Sequence, residues 1–389
     1  MDAPQRSPTV GRSVVTAARM IAYEVHEGAE ALMGLRAEWE ALEASGADHV
    51  FQTHAYARLW QRTVGTPTGA RPLLVVLRED GRVVAIFPAC RIREGGAPLI
   101  AWLGGPRALD YGDILFDEDA AETTVDAFVA ESLRLIARHA RGSILYLTNV
   151  RDDARVVESL RSRMRVFKTT TAPYLPISGT WKEYLHSRGR NTRHSLDRLS
   201  RRLSESGEVE FALLEPQAPG VAPAIASLVT FQRARFDAPV TRTNLFDERY
   251  VSLRTEQAMT ALGSRVATLS VDGRCIAASL HTVFRGRFYC LVTGFDGSYF
   301  NFSPGLLLHG FVIRSCFENG WDPCDFCWGD EAHKFRWTEQ ETTLTTFVSN
   351  NAKGALLLAA ATARRKIAEV FRNSGNTPGS SKRRDTLPG

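Results

Sequence analysis

Two adjacent carboxylates, Asp330 and Glu331, follow an apolar strand-like stretch and precede Lys334. A carboxylate at the end of a strand can remove a proton from an ammonium group, directly or through water, and acyl transfer to an amine needs that step. One of the two is therefore a candidate general base. A surface turn whose acids pair with Lys334 and Arg336 would give the same pattern.

A helix start at Ser303 is the second feature with chemical potential. Ser303 suits the N-cap position, and Pro304 suits the first helical position, where its missing N–H costs nothing. The backbone N–H groups of such a start, together with the helix dipole, form a site for an anion. Gly305 lacks the side chain that would block a phosphate, so Ser303 to Leu306 are predicted to cradle one. The alternative is an ordinary capped helix with nothing bound.

An internal repeat indicates the elements that must position these residues. Leu77–Ala85 reads LREDGRVVA and Leu269–Ala277 reads LSVDGRCIA, and in both the Asp-Gly pair is typical of a tight hairpin turn. A helical pattern follows each hairpin, at Ala120–Ala140 and at Pro304–Asn319, and each helix leads into a further strand. Both halves therefore read β-β-β-α-β.

This order of elements predicts an α/β fold with a mixed sheet flanked by helices, rather than a doubly wound nucleotide-binding sheet. We expect tandem units over residues 21–175 and 176–350. Residues 1–20 are predicted to be disordered, and residues 351–389 to form a helix and a basic disordered tail. The alternative is two unrelated domains, each with its own Asp-Gly hairpin.

Composition limits the function classes. Hydrophobic residues make up 44% and charged residues 23% of the 389 residues, and no apolar run is long enough to span a membrane. The net charge of +5 belongs to the tail, because residues 351–389 carry +6 and the rest carries −1. Six scattered cysteines suggest no disulfide framework and no metal site, and we predict a cytoplasmic protein.

The most specific signal is an ordered frame of residues in the second half. It reads G-F-D-x-x-Y-x-x-x-S-P-G-x-L-L from Gly294 and G-D-E-x-x-K-x-x-W from Gly329. This frame resembles the acetyltransferase-like domain of the CelD/BcsL family, a branch of the GNAT superfamily. That family is similar in layout to the FemABX proteins, which carry two GNAT-like units and use aminoacyl-tRNA.

The resemblance implies that the two units have different roles. The second unit would hold acetyl-CoA or another acyl-CoA as donor, and the first would shape the pocket of the amine acceptor. The donor would lie against Gly294, Phe295, Ser303, Pro304, Gly305 and Leu306. Asp330, Glu331, His333 and Lys334 would form the catalytic group, with His333 as an acid for the departing thiolate or simply a surface histidine.

An arginine-rich helix precedes the second half. Ser187–Leu203 reads SRGRNTRHSLDRLSRRL, with Leu196, Leu199 and Leu203 at helical spacing. Its arginines, including Arg190 and Arg193, suit the 3′-phosphate of CoA or a tRNA backbone. A solvated helix face is the alternative.

Three functions are consistent with these features. The first is an N-acyltransferase that moves an acetyl or other acyl group from acyl-CoA to an amine of a small molecule or of an envelope or polysaccharide precursor. The second is aminoacyl transfer from aminoacyl-tRNA. The third is a non-catalytic accessory protein in polysaccharide synthesis.

Overall fold

The computed structural model describes residues 20–356, apart from Gly95, Ala120, 237–247 and Ala261. The predictions for residues 1–20 and 351–389 therefore lie almost entirely outside the described residues. Within the described ranges, no helix has both the length and the apolar character that crossing a bilayer requires.

The described residues of the first part of the chain form seven strands and six α-helices. In chain order they are β1 Ile21–Glu27, α1 Gly28–Gly34, α2 Arg36–Gly46, α3 His54–Trp60, β2 Arg71–Glu79, β3 Arg82–Glu94, β4 Ala97–Trp102, α4 Gly105–Ala108, β5 Leu115–Phe116, α5 Val125–His139, β6 Ile144–Arg151, α6 Val157–Arg163 and β7 Met164–Leu175.

The second part repeats the alternation of strands and helices. Its described elements are α7 Trp181–Ser187, α8 Arg190–Ser204, β8 Val209–Leu214, α9 Val221–Phe236, α10 Glu248–Met259, β9 Ser264–Val271, β10 Arg274–Phe284, β11 Arg287–Phe295, α11 Pro304–Asn319, β12 Cys324–Asp325, α12 Ala332–Phe335 and β13 Glu341–Ser349.

The predicted repeat is present in the order of elements. The series β2-β3-β4-α5-β6 corresponds to β9-β10-β11-α11-β12, with one parallel pair in each, β4 with β6 and β11 with β12. Both hairpins turn at the expected dipeptides, since Asp80, Gly81, Asp272 and Gly273 all have positive φ. The α/β class with a mixed sheet and flanking helices is confirmed.

The two copies exchange strands in one mixed sheet. The order is β1-β2-β3-β4-β6-β13-β7-β12-β11-β10-β9-β8, and β5 pairs with β3. The late strand β13 thus lies between β6 and β7, whereas β7 of the first half lies between β13 and β12. Each half completes the sheet of the other, so the units are joined by backbone hydrogen bonds.

The core below the second hairpin supports α11 and α8. Leu308, Val312 and Cys316 of α11 are buried in one cluster with Leu199 and Leu203 of α8. The predicted apolar stripe of the arginine-rich helix is therefore a packing face, although the helix begins at Arg190 rather than at residue 187.

Two further sequence-based boundaries were wrong. The helix expected over Ala120–Ala140 begins at Val125, because the Thr124 hydroxyl accepts the Ala127 N–H and caps it there. The strand expected over Cys324–Trp328 ends at Asp325, and Cys327 has a φ of 58°, outside the strand region. That early end of β12 creates the candidate site.

Candidate functional site

The site begins where β11 and β12 separate. They pair only at Phe288 with Cys324 and at Tyr289 with Asp325. The chain then follows β7 instead, because the Phe326 and Gly329 N–H groups donate to carbonyls of β7 at 2.9 and 2.8 Å. The backbone of β11 beyond Tyr289 keeps β10 on one side and faces an opening on the other. A strand edge of this kind offers N–H and C=O groups to an extended ligand.

A cavity of about 770 Å³ occupies this opening. Its walls are β11 from Cys290 onwards, the segment 326–328, the start of α11, and one face each of α9 and α10. The volume and the mainly apolar lining are those of a small-molecule site.

Most of the predicted site residues converge on this cavity. The wall includes Gly294, Phe295, Gly305, Leu306, Glu331, His333 and Lys334. The remaining five, Asp330, Ser303, Pro304, Arg190 and Arg193, are not part of that wall.

The start of α11 differs from the predicted cap. Ser303 occupies the N-cap with φ 50° and ψ 53°, but its side chain makes no capping hydrogen bond. Its carbonyl instead accepts the N–H groups of Leu306 and Leu307, at 2.9 and 3.3 Å. The prediction of a capping side chain was wrong, and these two N–H groups are already engaged. The Gly305 end of the helix remains at the cavity wall.

Two predicted glycines are needed for close packing. A Cβ on Gly305 would lie 3.2 Å from the Phe295 ring, and a Cβ on Gly294 would lie 3.1 Å from atoms of Leu228 and Phe231. These spacings are tighter than ordinary side-chain contacts. The glycines therefore bring β11, α9 and α11 together around the cavity.

Lys334 closes the loop that forms one wall. Its ammonium donates to the carbonyls of Trp328 at 2.7 Å, Cys327 at 3.3 Å and Gly329 at 3.4 Å. It also pairs with Glu331 at 2.9 Å, although only 10% of the Lys334 side chain is exposed. Burial works to raise the pKa of Glu331, but the charge and hydrogen bond of Lys334 outweigh it and hold that pKa below 4.5. Glu331 is consequently a weak base.

Lys334→Ala is expected to lower the free energy of unfolding by about 2–3 kcal/mol, because it removes charge-assisted hydrogen bonds to three carbonyls. Arg336→Ala removes an exposed cation from the same segment and should change it by at most about 0.5 kcal/mol. Urea unfolding of both variants tests this. Equal losses in the two would show that Lys334 does not organise the loop.

Two histidines line the cavity near one another. The rings of His309 and His333 lie 5.5 Å apart, and His309 Nε2 is 3.1 Å from the Thr293 hydroxyl. Burial, with the charges of His333 and Lys334, lowers the pKa of His309 to about 3. His309 therefore stays neutral at physiological pH and offers a hydrogen bond rather than a charge.

Asp110 is a cavity residue that the motifs did not indicate. It follows α4 in the first half, its side chain is buried, and its Oδ2 has no hydrogen-bond partner. Burial raises its pKa to about 6, against the lowering effect of the Arg254 and Lys334 charges. A carboxylate with a raised pKa in a cavity is typical of acid–base sites. The signal in the sequence that could have indicated Asp110 is an acidic residue within the largely apolar segment from Leu109 to Leu115.

Arg254 of α10 is a second missed residue of the same wall. It is half-buried and donates to the Gln257 side-chain oxygen at 2.9 Å. Among the described residues it forms no ion pair, whereas its neighbour Arg107 pairs with Glu94.

The arginine helix lies beside the cavity rather than in its wall. Arg190 donates to His194 at 3.0 Å, and Arg202 lies 5.6 Å from the centre of the Phe302 ring, in the turn before α11. Arg198, Arg201 and Arg202 are exposed. The helix can therefore meet a phosphate only outside the cavity.

Comparison with known protein families gives a match in the second half of the chain. Residues 190–335 match the family model described as "Acetyltransferase (GNAT) domain". The matched residues include β11, α11 and the loop around Lys334. Residues 190–335 therefore have the sequence pattern of a GNAT domain. No curated protein sequence matches the chain.

Solved structures share the fold over most of the chain. FemX matches with a TM-score of 0.55 and 14% identity, over 80% of this chain and 95% of its own. The C-terminal domain of a putative lysylphosphatidylglycerol synthetase from Agrobacterium fabrum matches with a TM-score of 0.54 and 14% identity, over 85% and 96%. A protein of unknown function from Bacteroides thetaiotaomicron matches at 0.51 and 9%, over 80% and 97%. The layout of the chain is thus FemX-like.

Proposed function

We propose that the protein transfers an acyl group from acyl-CoA to an amine of a small molecule or of an envelope or polysaccharide precursor. The observation that carries this proposal is the open edge of β11 along the cavity. The pantetheine arm of CoA is an extended chain with two amide groups, and it would complete the interrupted ladder as an added strand does. The fold and the GNAT domain support the same class of reaction.

In this proposal, the phosphates of the donor lie at the start of α11. The positive end of a 16-residue helix lies behind Gly305 and Leu306, where a pyrophosphate would gain from the dipole. The exposed arginines of α8 would meet the 3′-phosphate outside the cavity. The thioester would then lie deeper in the cavity, beside Thr293 and Cys327.

Asp110 is our proposed general base. The incoming ammonium gives a proton to Asp110, and the freed amine forms the new C–N bond at the thioester carbonyl. The C–S bond then breaks, and the CoA thiolate takes a proton from His333. The nitrogen of the new C–N bond loses its second proton to the His333 imidazole, which restores the histidine. Asp110 suits this role better than Glu331, since its pKa is raised while that of Glu331 is lowered.

Gly305→Glu is expected to weaken acetyl-CoA binding at least about tenfold, because it adds a negative charge and bulk where the pyrophosphate would lie. Isothermal titration calorimetry measures the effect. Gly305→Ala separates crowding against Phe295 from charge, and Gly34→Glu adds the same charge at an exposed site with open space. The proposal fails if no acyl-CoA binds to the wild type, or if Gly305→Glu binds as Gly34→Glu does.

Aminoacyl-tRNA is the second candidate donor, and the exposed arginines of α8 favour it together with the FemX-like fold. Binding measurements with tRNA and with acyl-CoA distinguish the two donors. Salt-sensitive tRNA binding that weakens in Arg198→Gln and Arg201→Gln, without acyl-CoA binding, would assign the donor to tRNA. Failure of both donors would favour the non-catalytic accessory role.

A further inference from the structure

The acceptor end of the cavity has two opposite charges that are not paired with each other. Asp110 has a buried oxygen without a partner, and Arg254 has no carboxylate partner among the described residues. The two are close enough for the Arg254 charge to lower the pKa of Asp110, yet they form no ion pair. A buried carboxylate and a nearby guanidinium that are not paired with each other can each bind an oppositely charged group of a ligand.

The Arg254 side chain is held in position by a fully buried group. Gln257 is 0% exposed, accepts the hydrogen bond from Arg254 at 2.9 Å and donates to the Thr282 hydroxyl at 3.3 Å. This contact uses one of the five N–H groups of the guanidinium and leaves the fork that matches a carboxylate. Arg107, in the same wall, is already paired with Glu94.

The wall between the charged end and β11 is apolar. Ile225 and Leu228 of α9 are buried, while Val229 and Val251 are half-buried and line the same cavity. Half-buried aliphatic groups that line a cavity favour an apolar ligand group.

We propose that the acceptor is an amine that also carries a carboxylate and an apolar side group, as in an aliphatic or aromatic amino acid. Asp110 takes the ammonium, Arg254 takes the carboxylate, and the α9–α10 wall contacts the side group. This inference rests on the proposed acyl transfer and names the class of acceptor for the same site.

The experiment compares matched pairs of acceptors with acetyl-CoA as donor and release of the CoA thiol as readout. L-phenylalanine is paired with phenethylamine, and L-leucine with isoamylamine. We expect a preference of at least tenfold in kcat/KM for the member with the carboxylate. Arg254→Gln should reduce kcat/KM for that member about 10- to 100-fold, mainly through KM, and so abolish the preference. The simple amine should lose less, because it loses only the effect of the Arg254 charge on Asp110.

Arg107→Gln is the matched control, since it removes a cation of the same wall that already has a partner, and it should keep the preference. Arg254→Lys should restore part of it. Binding of L-phenylalanine and L-leucine to the acetyl-CoA-loaded protein is measured in parallel by calorimetry. Equal use of both members of each pair, retention of the preference in Arg254→Gln, or no binding or turnover of the amino acids would overturn the inference. Acetyl-CoA binding in the same samples shows separately whether the proposed function stands.

Discussion

Asp110→Asn is expected to lower kcat/KM by about 100-fold or more while making the protein more stable at neutral pH. The loss follows from the removal of a general base, which typically contributes 10²–10⁴-fold. A base must be deprotonated, so the wild-type kcat/KM should fall as the pH falls through about 6, the value to which burial raises the pKa of Asp110. The kcat/KM of the variant should not show this fall near pH 6. Both pH profiles are measured with an amine that the wild type acylates.

The gain in stability follows from the same pKa. The folded protein holds the Asp110 proton up to about pH 6, whereas an ordinary aspartate loses it near 3.8. Above pH 6 the buried charge therefore costs up to about 3 kcal/mol, and below pH 3.8 this cost vanishes. We expect the Tm of Asp110→Asn to exceed that of the wild type at pH 8 and to match it near pH 4.

Asp113 provides the matched control, because burial also raises its pKa, to about 7, but its oxygens accept three backbone N–H groups. These come from Ile114 at 2.8 Å, Arg155 at 3.0 Å and Val156 at 3.1 Å. Asp113→Asn would turn an NH₂ group toward one of these donors and should destabilise the protein. If both variants lose stability, the Asp110 carboxylate stabilises the fold and is not the proposed general base.

The contrast between these two aspartates illustrates what local patterns can predict. The Asp-Gly hairpins and the start of α11 depend on residues within a few positions of each other, and the sequence predicted both. The surroundings of Asp110 include the charges of Arg254 in α10 and of Lys334, both more than 130 residues away in the chain. No spacing rule within the segment 109–114 distinguishes it from Asp113.

The strand exchange was hidden for the same reason. The neighbours of β7 in the sheet, β12 and β13, follow about 150 residues later in the chain, and no local pattern indicates that pairing. In the loop after β12, Glu331 and Lys334 lie 2.9 Å apart. The hydrogen bonds of Lys334 to three carbonyls make it a residue that organises the loop. Asp330, its predicted companion, lies outside the cavity wall.

Asp325→Ala is expected to lower the free energy of unfolding by about 3–5 kcal/mol, because it removes a fully buried carboxylate on which both halves converge. Asp325 accepts hydrogen bonds from the Tyr111 hydroxyl at 2.5 Å and from Arg287 at 3.0 Å, and it lies 3.6 Å from Arg151. Tyr111 and Arg151 belong to the first half of the chain. The substitution would leave two guanidinium groups without this shared partner.

Asp153→Ala is the control for Asp325→Ala. Asp153 also pairs with Arg151, but 63% of its side chain is exposed, so its loss should cost less than about 1 kcal/mol. Equal losses in urea unfolding would mean that Asp325 does not join the halves. The Asp325 carboxylate also accepts the Cys327 N–H at 2.8 Å, at the point where the chain leaves β11. Asp325→Ala should therefore weaken acetyl-CoA binding even under conditions where the protein remains folded, because the wall of the cavity loses its anchor.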